Sequence, residues 1–275
     1  MIRPDQFKRP RLFAVLPTLL TLGNAVCGFG SITFAAKVGP EVTEENALFI
    51  AALLVFFAMI FDALDGPVAR WSKQASDFGA QLDSLCDAIS FGVAPAFIML
   101  KFSVFFHPRL LWVIAVLYML CAILRLARFN VEKDHARPYP SFSGLPSPAA
   151  AGMVASVVIA MPSLISLTEP DMSDTSQVIG AWLISAMTFG LPIVTLMVAC
   201  LMVSRIRYPH LFYQLFRGRR SFQYLVQLIF AMVAVFAFHE LAIPLLFFYF
   251  VLAPPVRALW AGVIVRRLYE PSSSS

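Results

Sequence analysis

The sequence predicts an all-α fold: a polytopic membrane helix bundle of about eight transmembrane helices, with both termini cytoplasmic. Three observations predict it. Of 275 residues, 59% are hydrophobic and 13% charged, against roughly 45–50% and 25% in an average soluble domain. The mean hydropathy is +0.78. Apolar runs long enough to cross a bilayer, about 20 residues each, recur along the chain. This excludes a soluble globular enzyme, a disordered protein and a nucleic-acid-binding module. The net charge of +5, from 21 Lys and Arg against 16 Asp and Glu, is that of loops on the cytoplasmic side of a membrane.

The first span, 13–36, follows a basic N-terminus carrying Arg3, Lys8, Arg9 and Arg11. Its apolar run is longer than the ~7–15 residues of a signal-peptide core, so it reads as a retained span. The next five are 47–71, 80–100, 109–127, 147–167 and 176–203. Gly144-Leu145-Pro146 reads as a turn into the fifth, whose first turn accepts Pro148. The last two, 221–237 and 241–264, are separated only by the polar pair His239-Glu240. With this layout seventeen of the 21 Lys and Arg fall inside, and Lys37, Lys101 and Arg109 fall outside. Arg257 lies within the last span, where it snorkels to the interface or pairs with a second copy. The cluster from Arg205 to Arg220, with Tyr208, Phe212, Tyr213 and Phe216, reads as an amphipathic lipid-surface segment. Residues 1–270 read as one membrane domain and 271–275 as a disordered tail. Cys27, Cys86, Cys121 and Cys200 lie far apart in apolar runs, with no zinc or iron–sulfur spacing. The four histidines are isolated and read as interfacial.

Carboxylates inside a membrane cost on the order of 2.5–3.5 kcal/mol each on insertion scales. This chain groups several. Asp62 and Asp65 are three apart on the second span; Asp83 and Asp87 are four apart on the third. Each spacing puts its pair on one helix face. A short connection makes the two spans antiparallel neighbours, so four carboxylates can converge at the cytoplasmic end of a hairpin. Such anions repel strongly in low dielectric. Either they protonate or cations neutralise them, and oxygen-only ligands suit Mg²⁺ or Mn²⁺. Four aspartates carry the charge for two such ions, a known device for displacement at phosphorus. Arg70 stands ~12 Å along the axis from Asp62, placed to meet a phosphate. Gly66 and Gly79 leave space for a ligand against the backbone. Asp77 and Lys73 read as an ordinary solvated span end.

The string Asp62-x₂-Asp65-Gly66-x₂-Ala69-Arg70-x₈-Gly79-x₃-Asp83-x₃-Asp87 resembles the signature of the CDP-alcohol phosphotransferase family at every fixed position. The resemblance implies two divalent cations, Mg²⁺ or Mn²⁺, held by Asp62, Asp65, Asp83 and Asp87. It implies Asp87 as general base, with Gly66, Ala69, Arg70 and Gly79 around the CDP moiety. The stretch Leu16–Phe29 resembles the first span of the integral-membrane phosphatidylserine synthase branch. Arg125–Asn130 and Phe142–Ala150 resemble that branch's fourth and fifth spans. The substrates so implied are CDP-diacylglycerol and L-serine, and family habit implies a homodimer in the inner membrane with a cytoplasmic site. The family commonly has Asn where Thr18 stands; Thr18 or Asn24 then supplies that nucleotide contact. Arg125 and Arg128 are either orientation charges or hold a serine carboxylate or lipid phosphate. Asn130, Ser143 and Ser147 are candidates to complete that pocket. Two alternatives stay open: another acceptor, glycerol 3-phosphate or inositol phosphate, or a cation transporter lined by the aspartates.

Overall fold

The computed structural model describes residues 12–38, 46–72, 76–103, 105–134, 144–204, 206, 208 and 239–269. Among these the chain is helical with no strand. The helices are α1 (Leu12–Ala36), α2 (Ala47–Ser72), α3 (Asp77–Asp87), a π-helical segment (Ala88–Val93) and α4 (Ala94–Phe102). They are followed by α5 (Pro108–Asp134), α6 (Ser147–Ile159), α7 (Met161–Ser166), α8 (Asp174–Val203) and α9 (His239–Tyr269). Among the described residues, six helical stretches are long and apolar enough to cross a membrane, matching the first six expected spans. The protein is therefore a multi-pass membrane protein. The expected span 221–237 and the tail 271–275 lie outside the described residues; 241–264 falls within α9.

Two stretches form the interior. In Asp77–Phe102 and Ser147–Ser166, 61% and 67% of the apolar window is buried, against 28% in α1 and α2. Lipid-facing bulk lies outside them, as in Leu19, Val26, Phe29, Phe57 and Trp112. The core is rich in alanine, including Ala51, Ala58, Ala94, Ala122, Ala150 and Ala155. Small residues let helix backbones approach closely where no hydrophobic force separates helix from lipid. The buried stripe of α1 follows the same logic: Pro17, Thr21, Asn24, Gly28, Ser31 and Ala35 recur at three- and four-residue spacing. On α6, a Cβ at Gly152 would collide with the Phe247 ring of α9.

Prolines break backbone pairing inside these helices, and buried tyrosines repair it. Pro95 has no N–H for the carbonyl of Phe91 one turn earlier. The fully buried Tyr118 hydroxyl donates to that carbonyl at 3.1 Å. Pro255 likewise cannot serve Val251, and Tyr208 donates to the Val251 carbonyl at 3.1 Å. Tyr208 is buried, which corrects its expected place on a lipid-surface segment; the hydroxyl is drawn inward by an unsatisfied carbonyl. The turn before α6 is Gly144-Leu145-Pro146 as expected. Gly144 has φ +94° and its N–H donates to the Ile206 carbonyl at 2.9 Å, while Leu145 N–H donates to Leu201 at 3.0 Å. These bonds fasten the start of α6 to the end of α8.

The acidic centre

Asp62 comes from α2, Asp83 and Asp87 from α3. One carboxylate oxygen from each lies within 4.8 Å of the others. The same-face spacing brings them together as the sequence predicts. Asp65 is not in this group of three. It is buried, and its Oδ2 lies 3.0 Å from the Thr21 hydroxyl of α1. That hydroxyl has one proton and also stands 3.1 Å from the Pro17 carbonyl. Asp87 is buried too and lies in the field of Asp62, Asp83 and Asp65. Its Oδ1 accepts a hydrogen bond from Asn24 Nδ2 at 2.8 Å.

The remaining candidates surround this centre. Gly66 is half-buried beside Arg70, whose Nη1 would stand 3.6 Å from a Cβ there. The exposed Arg70 guanidinium thus lies back along the turn toward Gly66. Ala69 and Thr18 are half-buried. Gly79 serves the start of α3: its N–H donates to the Ser76 cap at 3.1 Å. Arg125 of α5 donates through Nη1 to Ser147 Oγ at 2.9 Å, and it lies in the field of Asp87 and Asp62. Ser147, the first residue of α6, is fully buried. Asn130 Nδ2 donates to Ser84 Oγ at 2.9 Å, joining α5 to α3 beside Asp83. Arg128 is exposed. Ser143 lies outside the described residues.

Three contributors were not foreseen: Thr21, Ser84 and Ser90. Ser90 Oγ donates to the Asn24 carbonyl at 2.9 Å. Their signal in the sequence is register. Thr21 is three residues before Asn24 on one face of α1, and Ser84 follows Asp83 directly.

The donor set fits a hard divalent cation. All ligand atoms are carboxylate oxygens, and like charges this close in a membrane interior require neutralisation. The buried Asn24 Oδ1, on the amide that touches Asp87, has no hydrogen-bond partner among the described residues.

Fold and site together define a class: a multi-pass helical membrane protein whose acidic, oxygen-only centre is built by α2 and α3, with α1 packed against both. The chain belongs to the CDP-alcohol phosphatidyltransferase family, which residues 14–190 match; this family depends on a divalent metal. It is similar to the CDP-diacylglycerol–serine O-phosphatidyltransferase of Mycobacterium tuberculosis, 36% identical over 155 residues, 55% of this chain and 51% of that one. The Bacillus subtilis protein of the same name is 33% identical over 135 residues, 49% of this chain and 70% of that one. The archaetidylserine synthase of Methanothermobacter thermautotrophicus is 38% identical over 151 residues, 54% of this chain and 60% of that one. The chain thus spans about half the length of the mycobacterial relative it matches.

Proposed function

We propose that this chain transfers the phosphatidyl group of CDP-diacylglycerol to the hydroxyl of L-serine, giving phosphatidylserine and CMP. The observation that carries the reading is the convergence of Asp62, Asp83 and Asp87, with Asp65 beside them, inside the family motif. The serine acceptor is supported by the names of relatives at about one-third identity. Arg125, half-buried and anchored by Ser147, suits the carboxylate of an amino-acid acceptor.

Asp62, Asp65, Asp83 and Asp87 would hold the metal, Mg²⁺ or Mn²⁺, with charge enough for two ions. When bound, the metal supplies charge neutralisation at the pyrophosphate and polarises the reacting phosphorus. The protein's own groups do the rest. Gly66, Ala69, Gly79 and Thr18 flank the CDP moiety. Arg125, Arg128, Asn130 and Ser147 orient serine, a role the sequence also suggests for Ser143. Asp87 accepts the proton of the serine hydroxyl. That oxygen bonds to the phosphorus carrying diacylglycerol, and the bond from this phosphorus to the CMP oxygen breaks. The electron pair leaves with CMP, whose charge Arg70 meets. The charge asymmetry of the loops supports a site facing the cytoplasm at the inner membrane. Homodimeric assembly is carried over from the family alone.

The test is purified protein with CDP-diacylglycerol, Mg²⁺ or Mn²⁺, and a panel of labelled serine, glycerol 3-phosphate and inositol phosphate. CMP and serine-labelled lipid should rise together. CMP release with label entering lipid only from another acceptor would overturn the serine assignment, and metal flux into liposomes without CMP would favour a transporter.

A further inference from the structure

Asn24 is fully buried on α1 and reaches Asp87 across 63 residues of sequence. Its Nδ2 donates to Asp87 Oδ1 at 2.8 Å. This placement is held from two further directions. Ser90 Oγ donates to the Asn24 main-chain carbonyl at 2.9 Å. Gly28, one turn on, lets α1 lie so close that a Cβ there would stand 2.7 Å from Ser90 Cα. The π-helical turn begins immediately after Asp87 and carries Ser90 onto α1. Such turns are frequent at functional sites because they re-aim side chains. The same amide leaves Oδ1 buried with no hydrogen-bond partner among the described residues, a cost that an apolar packing residue would avoid.

We propose that Asn24 is the positioning residue for Asp87. It donates to Oδ1 and so fixes the plane of the carboxylate that would share in holding the metal and receive the acceptor's proton. The inference rests on Asp87 being the base of the proposed reaction. It replaces the nucleotide contact that the sequence suggests for Asn24.

The test compares purified wild type with Asn24→Leu and Asn24→Asp, in kcat, in KM for CDP-diacylglycerol and serine, and in CDP binding by calorimetry with Mg²⁺. Loss of a positioning contact should lower kcat ~10–100-fold, while both KM values and CDP affinity stay within about threefold. A raised CDP-diacylglycerol KM at unchanged kcat would instead make Asn24 a nucleotide contact and overturn the inference. So would unchanged kcat. Should neither variant fold, Ser90→Ala must show the same kcat-only loss in smaller measure; wild-type kinetics there overturn the inference. Wild-type protein that releases no CMP overturns the proposed function and this inference together. Wild-type turnover alongside unaffected Asn24 variants overturns the inference alone.

Discussion

Gly28→Ala should separate α1 from the acidic centre by a calculable amount. The added Cβ would lie 2.7 Å from Ser90 Cα and 2.9 Å from Ser90 Cβ, whereas carbon atoms pack at about 3.5–4.0 Å. One partner is backbone, so α1 and the π-helical turn must move apart by about 1 Å. Stretching the 2.9 Å Ser90–Asn24 bond and the 2.8 Å Asn24–Asp87 bond by that much ends both as hydrogen bonds. Overpacking costs about 1–3 kcal/mol, and a 1 Å misplacement at a reacting group costs on the order of 10²-fold in turnover. Ala is the better helix former by about 1 kcal/mol, which partly masks the loss of stability. Gly190→Ala in α8 isolates that gain, since among the described residues nothing lies within 4 Å of its added Cβ. Thermal unfolding in detergent and CMP release from CDP-diacylglycerol, run on both variants, read the two effects. Gly190→Ala should match or exceed wild-type stability and keep its activity, while Gly28→Ala loses both. Equal behaviour of the two variants would refute the packing argument.

Other consequences are as specific. Asp87→Asn should abolish CMP release while CDP still binds; near-normal turnover removes Asp87 from the base role. Arg125→Ala should raise KM for serine at least tenfold, about 1.4 kcal/mol, with CDP-diacylglycerol KM unchanged; an effect on the lipid substrate instead would assign Arg125 to its phosphate. Tyr118→Phe leaves the Phe91 carbonyl without a donor, because Pro95 cannot supply one. It should cost about 1–3 kcal/mol in unfolding experiments, and wild-type stability would show that carbonyl to be satisfied otherwise.

Much of this was legible in the sequence because membrane helices obey simple lengths and periods. The first six spans follow from apolar runs, and the aspartate pairs follow from three- and four-residue spacing. Helix ends were less legible. The third span was expected at 80–100, but Ser76 caps a helix that begins at Asp77, and a hydropathy run does not register a capping hydroxyl. The fifth, expected as one helix over 147–167, divides at Ala160 into α6 and α7, with Pro162 in the first turn of the second. The π turn over Ala88–Val93 leaves no mark in a hydropathy run; its contacts are to other helices, with Tyr118 of α5 donating to the Phe91 carbonyl and the turn's own Ser90 donating to the Asn24 carbonyl of α1. The partners of Asp65 and Asp87 were hidden for the same reason. Thr21 and Asn24 are 44 and 63 residues away from them, and only packing of α1 against α2 and α3 joins them. The convergence of four acids was expected; three meet closely, and Asp65 turns to Thr21.

On the proposed function, Asp62, Asp83 and Asp87 are tolerated together because they bind a divalent cation. Mn²⁺ titrated into purified, metal-free protein and followed by electron paramagnetic resonance measures this directly. Binding should be saturable in wild type and lost in Asp83→Asn. Absence of Mn²⁺ binding by folded wild type, or equal binding by the variant, would contradict it.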